Sequence, residues 1–390
     1  QSAVLLMDHR HQNKLSESSQ KVLYFSDYFF RHLVNILRYR RIFTKRWKNI
    51  QDALSISLHH HDLDLWPIAQ RKLHRVFQRK FPVVGVEIES ARELLKEHRV
   101  KSLLLNSDAH HGGRLLTLVA NQLSIPSLVI QHGATLGEWG YVPLYATCFA
   151  AWGNSSRQWL IERGVSPEQI VVTGQPRLDQ TDSWNLGKSR EEICKRLGFP
   201  LTGYCLLWAM DPIPKSENKE IFENLIEAAA VLPWLNLVIR PHPGIQQLTW
   251  MENMVREQEN VVISPVQESL NAVLSAVDGV ITQGSTVGIE AMRFDKQVVV
   301  FQPSKAIIDV DNVFAGAAAI TVRTVDELRR VLEEFNQIKI GDGADPYAQA
   351  RHDFVKQYFY ALDGKSGQRV AQALSKLIAE FAAPDSRTRN

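Results

Sequence analysis

The most constraining feature of this sequence is a repeated alternation of short apolar segments with longer amphipathic ones. Segment 127–130 is one such apolar run, and it ends directly at the polar turn Gln131-His132-Gly133. Continuous apolar runs are typical of strands buried on both faces, and helices between such strands imply βαβ units with parallel pairing. The sequence therefore predicts an α/β protein built on parallel sheets.

The alternation occurs twice along the chain. The first series of predicted strands comprises 102–106, 127–130, 147–152 and 170–173, and the second comprises 204–209, 235–239, 261–263, 279–282 and 297–301. The polar segment 175–190 between them reads as a linker. We therefore expect two Rossmann-like domains facing across a cleft, an N-terminal one over 1–180 and a C-terminal one over 190–390. Ligands of such sheets lie outside the carboxyl ends of the strands.

Charge and cysteine content narrow the functional classes. The 390 residues carry a net charge of +3 and three scattered cysteines, which are too few for a disulfide framework or a zinc site. Basic residues cluster within 38–48 and 71–80, as either a solvated helix face or a surface for anionic lipid, glycan or nucleic acid. No apolar run approaches the roughly 18 residues that span a bilayer, and segment 1–8 lacks the layout of a signal peptide.

The strongest motif is Arg240-Pro241-His242-Pro243-Gly244, directly after a predicted buried strand. Two prolines restrict this loop, so that His242 can be held to donate a hydrogen bond to a phosphate oxygen, with Arg240 adding positive charge. A rigid turn that merely exposes a histidine is the alternative.

A second motif, Gln283-Gly284-Ser285-Thr286, precedes the helical pattern that contains Glu290. We expect Ser285 or Thr286 to cap that helix and, with Gly284, to form an anion site at its N-terminus. Glu290 lies about one turn further and either reaches ribose hydroxyls or is a solvated carboxylate. The motif is neither a Walker loop nor a GxGxxG fingerprint.

Three further residues are candidates for proton transfer. His132 ends a strand and is predicted as acid, base or substrate clamp, and Glu138 soon after it as a base or a solvated carboxylate. Asp108, at the end of the first predicted strand, is the remaining candidate base. Asp108 lies beside His110 and His111, but adjacent histidines point apart and no third ligand follows, so we expect no metal.

At these motifs the chain resembles GT-B fold carbohydrate enzymes over residues 100–305. His242-Pro243 and Ser285-Thr286 are similar to the histidine-proline and serine motifs of bacterial sialyltransferases and capsule Kdo transferases, which bind the nucleotide phosphate. The Gln-His-Gly turn at 131–133 resembles that of CDP-glycerol glycerophosphotransferases, and the Val-Thr-Gly stretch at 172–174 resembles that of UDP-N-acetylglucosamine 2-epimerases. The epimerases have Glu-Ala-Gly at the position of Gln131-His132-Gly133, so their acid–base apparatus is incomplete here.

The resemblance implies transfer of a sugar from a CMP-, UDP- or GDP-linked donor to a surface polysaccharide or lipid-linked acceptor. The alternatives are a hydrolysing UDP-sugar 2-epimerase, a CDP-polyol phosphotransferase, and a non-catalytic nucleotide- or glycan-binding module. The resemblance to GT-B enzymes implies no cofactor, since the nucleotide-linked donor is a substrate, and it implies no nucleic acid partner. The expected location is the cytoplasm, with the basic N-terminal region as a peripheral contact to the inner membrane face.

Overall fold

A computed structural model describes the chain at residues 4–7, 21–60, 63–135, 137–179, 190–198, 200, 202–211, 213–242, 244–245, 248–256, 258–265, 268–303, 318–341 and 345–382. Residues 180–189 of the predicted linker lie outside this range, so the domain division placed there stays a prediction. No helix within the described residues is long and apolar enough to cross a membrane.

Helices and strands alternate through most of the described chain. The helices are α1 Phe25–His32, α2 Ile36–Ser57, α3 Trp66–Arg75, α4 Phe81–Glu97, α5 His111–Gln122, α6 Asn154–Glu162, α7 Arg190–Leu197, α8 Lys215–Val231, α9 Thr249–Val255, α10 Leu270–Ala276, α11 Thr286–Arg293, α12 Val325–Ile340, α13 Ala348–Tyr358 and α14 Ser366–Ala382. The strands are β1 Val4–Met7, β2 Lys21–Tyr24, β3 His59–His60, β4 Leu63–Asp64, β5 Leu103–Leu105, β6 Ser127–Ile130, β7 Cys148–Ala151, β8 Ile170–Val172, β9 Tyr204–Ala209, β10 Leu235–Arg240, β11 Val261–Ile263, β12 Gly279–Thr282, β13 Gln297–Phe301 and β14 Ile320–Val322.

The described residues form two compact units. The first is drawn from Gln1–Val129, Tyr145–Thr147 and Leu374–Asn390, and the second from Ile130–Leu144 and Cys148–Ala373. In the first unit, α1 and α2 pack on α4, and β5 pairs with β6 in parallel. Its core contains Tyr28, Leu94, Leu95 and Val119, since the apolar positions of α1, α4 and α5 recur at helical spacing.

The second unit contains a parallel six-stranded sheet in the order β11-β10-β9-β12-β13-β14, together with the parallel pair β7–β8. Strand β9 is buried along its whole length. Its alternate residues enter two different cores, with Leu207 in one and Leu206 and Trp208 in the other. A strand covered on both faces is apolar at every position, which is why the sequence predicts β9 with its observed bounds.

The prediction of an α/β fold with parallel sheets is confirmed. The bounds of β6, β9, β11, β12 and β13 agree with those predicted. The segment before the basic cluster is helical, as α1, a 3-10 turn over Leu33–Asn35, and α2, which continues to Ser57. All three cysteines are free and buried, as expected of small apolar side chains.

Candidate functional site

The loop between β12 and α11 is closed on itself by hydrogen bonds. The Thr282 hydroxyl oxygen accepts from the N–H groups of Gly284 (3.2 Å) and Ser285 (2.8 Å). Ser285 caps α11 as predicted, because its Oγ accepts from Val287 N at 3.2 Å. Gly284 has a φ of +129°, a conformation that side-chain-bearing residues rarely adopt. These N–H groups bind oxygens of their own loop, and the Ser285 hydroxyl is hydrogen-bonded to the carboxylate of Asp211, so donation from Ser285 to a phosphate would have to replace that bond.

Asp211 lies beneath this loop, and the sequence analysis missed it. Its Oδ2 accepts from Gln283 N at 3.1 Å and lies 3.5 Å from the Thr282 hydroxyl. Burial raises the pKa of Asp211 to about 6, although its hydrogen bonds act in the opposite direction. A signal was present, because Asp211 follows the fully apolar strand β9 just as Asp108 follows its own strand.

The turn that carries His132 is held by its neighbours in the second unit. The Gln131 amide donates to Gly133 O at 2.9 Å and accepts from Trp152 N at 2.8 Å. Tyr141 donates to the same Gly133 carbonyl at 2.8 Å, and its ring stacks on His132 with centroids 4.9 Å apart. Burial raises the pKa of the Tyr141 hydroxyl, which therefore stays a hydrogen-bond donor at neutral pH. His132 itself is exposed, on a turn whose backbone is fixed.

Two motifs that are distant in sequence meet at the N-terminus of α11. Ala134 N donates to the Thr286 hydroxyl oxygen at 3.1 Å, which joins the His132 turn to the capped helix. Thr135 N donates to the Tyr358 hydroxyl at 3.2 Å, so α13 supports the same turn. Within the second unit, His132, Ser285 and Thr286 therefore belong to one connected group.

Glu290 is buried and paired in the structure. It is 3% exposed, and its carboxylate pairs with the guanidinium of Arg177. The segment Gln175–Asp179 is thereby tied to α11. A solvated carboxylate is excluded, and a ribose contact by Glu290 would have to compete with Arg177.

Arg240 and His242 lie at the carboxyl end of β10. Gly244 N donates to His242 Nδ1 at 3.1 Å, so the neutral imidazole carries its hydrogen on Nε2, ready to donate to an anion. Arg240 Nη1 donates to Ser264 Oγ at 3.2 Å, and burial lowers the pKa of this guanidinium. Pro243 lies outside the described residues. Strand β9 separates β10 from β12, so the two strand ends are about 10 Å apart at the usual strand spacing.

Asp108 and Glu138 have different surroundings from each other. Asp108 belongs to the first unit, where its buried Oδ2 accepts from Tyr145 N (2.7 Å) and Ala146 N (2.8 Å). A carboxylate with these two backbone bonds anchors a loop. The exposed Glu138 lies in the second unit, 3.6 Å from the Arg163 guanidinium. Within the described residues, no group of three or more His, Cys, Asp or Glu side chains could hold a metal ion.

Residues 150–376, more than half of the chain, match the family described as CDP-glycerol:poly(glycerophosphate) glycerophosphotransferase. The chain belongs to this family. The matched region includes the loop at 283–286, Asp211, the Arg240–Gly244 loop and Arg177, but not the His132 turn. A comparison with curated proteins gives no match.

Solved structures share the fold at low sequence identity. The S. aureus MnaA–UDP co-structure is 15% identical with a TM-score of 0.54, over 78% of this chain and 83% of that one. UDP-GlcNAc 2-epimerase from Methanocaldococcus jannaschii, in complex with UDP-GlcNAc and UDP, is 14% identical with a TM-score of 0.55, over 76% and 81%. A glycosyltransferase from Rickettsia africae is 14% identical with a TM-score of 0.50, over 75% and 82%. The predicted GT-B fold is thereby confirmed.

Proposed function

We propose that this glycerophosphotransferase family member transfers an activated group from a nucleotide-linked donor to a hydroxyl group of a surface polymer. The observation that carries the proposal is the 3.1 Å bond between Ala134 N and the Thr286 hydroxyl, which brings an exposed histidine turn to a capped helix N-terminus. A helix N-terminus favours phosphate, and a histidine is suited to take the proton of an attacking hydroxyl. Family membership favours a CDP-linked polyol phosphate as the donor.

The proposed reaction is a displacement at phosphorus. The acceptor oxygen bonds to the phosphorus that carries the polyol, the bond from that phosphorus to the bridging oxygen breaks, and CMP leaves with both bond electrons. His132 accepts the hydroxyl proton, with Glu138 and Asp108 as the other candidate bases. Ser285, Thr286 and His242 donate hydrogen bonds to the donor's phosphates, with Arg240 and Gly284 completing that surface, and no metal ion is required.

A second candidate is glycosyl transfer from a CMP-, UDP- or GDP-linked sugar. The shared fold with a UDP-bound protein and with a glycosyltransferase supports it, since the same carboxyl strand ends would hold the nucleotide. In this case the acceptor oxygen bonds to the anomeric carbon, the bond from that carbon to the donor's phosphate oxygen breaks, the nucleotide leaves with both bond electrons, and the base takes the acceptor proton. The acceptor in both cases is a polysaccharide or lipid-linked glycan, held on the 1–180 side, with the nucleotide on the 190–390 side.

A peripheral contact with an anionic membrane forms part of the proposal. Exposed apolar residues on α1 and at the start of α2, such as Phe30 (66%) and Leu37 (61%), precede cations on the same chain segment. Leu37, Arg40, Arg41 and Lys45 line one open groove along α2. An apolar patch beside clustered cations is suited to the interface of anionic lipid. Sedimentation with phosphatidylglycerol vesicles but not phosphatidylcholine vesicles is expected, and equal binding to both would refute the contact.

A donor panel tests the function directly. The full chain is incubated with CDP-glycerol, CDP-ribitol, CMP-sialic acid, UDP-GlcNAc and an oligosaccharide acceptor, and the released nucleotide and the phosphate content of the product are measured. CMP release with a gain of acceptor phosphate supports phosphotransfer, whereas product without added phosphate supports glycosyl transfer. Nucleotide binding without turnover of any donor would indicate a non-catalytic binding module. Release of free 2-epimerised sugar would indicate an epimerase.

Two variants test the residue assignments. His132→Gln is expected to lower turnover about 100- to 10,000-fold with nucleotide affinity little changed, because a base acts in the transition state. His242→Ala is expected to weaken nucleotide affinity. If it binds the nucleotide as tightly as the wild type does, the phosphate role of His242 is wrong.

A further inference from the structure

A cavity of about 370 Å³ opens in the second unit at the carboxyl ends of β9 and β10. Met210, Ile213, Lys215, Asn218, Gly244, Ile245 and Trp250 line it. Its volume lies within the usual range of small-molecule sites, and its walls are mostly apolar with a few polar groups, as in such sites generally. The functional residues assigned above are not among those that line it.

Asn218 supplies a polar group without a partner. It is 2% exposed, and its Nδ2 donates to two backbone carbonyls, of Asp211 at 3.1 Å and Ile213 at 3.3 Å. Because both partners are acceptors, the amide orientation is fixed and the remaining atom is the oxygen. Among the described residues, nothing donates a hydrogen bond to this Oδ1. A buried acceptor without a donor is costly, so a ligand that brings a hydroxyl or amine hydrogen would be favoured.

Two other residues define what that ligand carries. Trp250 is held edge-to-face against Phe222, with ring centroids 5.2 Å apart, and offers a fixed apolar wall. Lys215 lines the cavity and is the first residue of α8, so a positively charged residue and a helix N-terminus, each of which favours an anion, occur together at this wall. The cavity thus combines an apolar wall, a buried acceptor and a cationic rim.

We propose that this cavity binds a hydroxylated unit bearing a phosphate or carboxylate, such as a polyol phosphate or an anionic sugar. The hydroxyl donates to Asn218 Oδ1, the carbon-bound hydrogens contact Trp250, and the anion meets Lys215. The inference deepens the proposed function, on which it rests. The unit is either the group that the donor transfers or the end of the acceptor.

The cavity is connected to the loop at 283–286 through one residue. Asp211 accepts from Asn218 Nδ2 with its backbone oxygen and from Gln283 N with its carboxylate. One residue therefore contacts both the cavity wall and the loop that precedes Ser285. A unit in the cavity would lie within reach of phosphates at that loop.

The first experiment measures binding of sn-glycerol 3-phosphate to the full chain by calorimetry. Propyl phosphate, which keeps the charge but lacks the hydroxyls, is expected to bind about 5- to 100-fold more weakly, the range for a buried acceptor left unpaired. Lys215→Gln and Trp250→Leu should each weaken the glycerol phosphate about 3- to 10-fold. Lys219→Gln, one turn further along α8 and paired with Glu223, is the matched control and should bind as the wild type does. Equal binding of the two phosphates, or no effect of Lys215→Gln, overturns the proposal.

Steady-state kinetics then shows whether the unit in the cavity is the group that the donor transfers or the end of the acceptor. If the cavity holds the transferred group, Lys215→Gln and Trp250→Leu raise the KM of the nucleotide-linked donor, and if it holds the acceptor end, they raise the acceptor KM. If the variants change neither the donor KM nor the acceptor KM, the cavity proposal is overturned. Turnover of the donor in that experiment still supports the proposed function. Conversely, binding of glycerol phosphate without turnover of any nucleotide-linked donor refutes the function but leaves the cavity assignment intact.

Discussion

Replacing Asp211 by Asn should stabilise the protein, and by an amount that increases with pH. Burial raises the pKa of this carboxyl from 3.8 to about 6 in the folded state. Between these values the folded state holds a proton that the unfolded state has released, so stability falls as the pH rises through this window and stays lowered above it. At about 1.4 kcal/mol per pKa unit, the full cost of the buried charge is about 3 kcal/mol.

The asparagine keeps the local contacts while removing the charge. Its amide oxygen can take the place of Asp211 Oδ2, which accepts from Gln283 N at 3.1 Å and lies 3.5 Å from the Thr282 hydroxyl. In the wild type, about half of the stability lost to the buried charge of Asp211 is already lost at pH 5, and nearly all of it is lost at pH 8. The gain of Asp211→Asn should therefore be larger at pH 8 by about 1.5 kcal/mol.

Urea unfolding followed by circular dichroism at pH 5 and pH 8 measures this difference. Asp278→Asn is the matched control, because the fold lowers the pKa of Asp278 whereas it raises that of Asp211. Burial alone would raise the pKa of Asp278, but hydrogen bonds from Arg190 (2.6 Å) and Lys339 (2.6 Å) lower it. Since Asp278 is ionised in both states above pH 5, this variant should be destabilised equally at both pH values. A gain for Asp211→Asn that is equal at the two pH values, or smaller at pH 8, would refute the reasoning.

The remaining predictions concern stability at the joined motifs, measured by the same unfolding assay. Thr286→Val removes the acceptor of Ala134 N and should cost about 1–3 kcal/mol, whereas Thr286→Ser keeps the oxygen and should cost less; equal losses would contradict the role of the hydroxyl. Arg177→Met leaves the buried carboxylate of α11 unpaired and should cost about 1–3 kcal/mol, less than a fully buried pair because the arginine side chain is 65% exposed. Gly174→Ala should cost more than Gly164→Ala. Both glycines have positive φ, but a Cβ at 174 would lie 2.5 Å from a serine hydroxyl, while one at 164 meets nothing within 4 Å. A larger loss at 164 would contradict this ranking.

The sequence by itself determined the parallel α/β framework and the positions of the polar loops at its strand ends. Strand β9 is apolar at every position, and β12 is apolar up to Thr282, because both faces are covered, and this pattern can be read without tertiary contacts. Capping by Ser285 is likewise a local property, because the hydroxyl and the N–H that it accepts from are two residues apart.

Only the tertiary structure decided which groups meet. The partners of Ala134 and Glu290 lie more than 100 residues away in the chain, and no local pattern encodes such pairings. Asp211 has the same local signature as Asp108, a carboxylate after an apolar strand, yet one supports the loop at 283–286 and the other anchors a loop of the first unit. The two aspartates differ because different segments surround their strand ends. Which segments those are depends on which strands pair, and pairing between distant segments is a property of the folded chain.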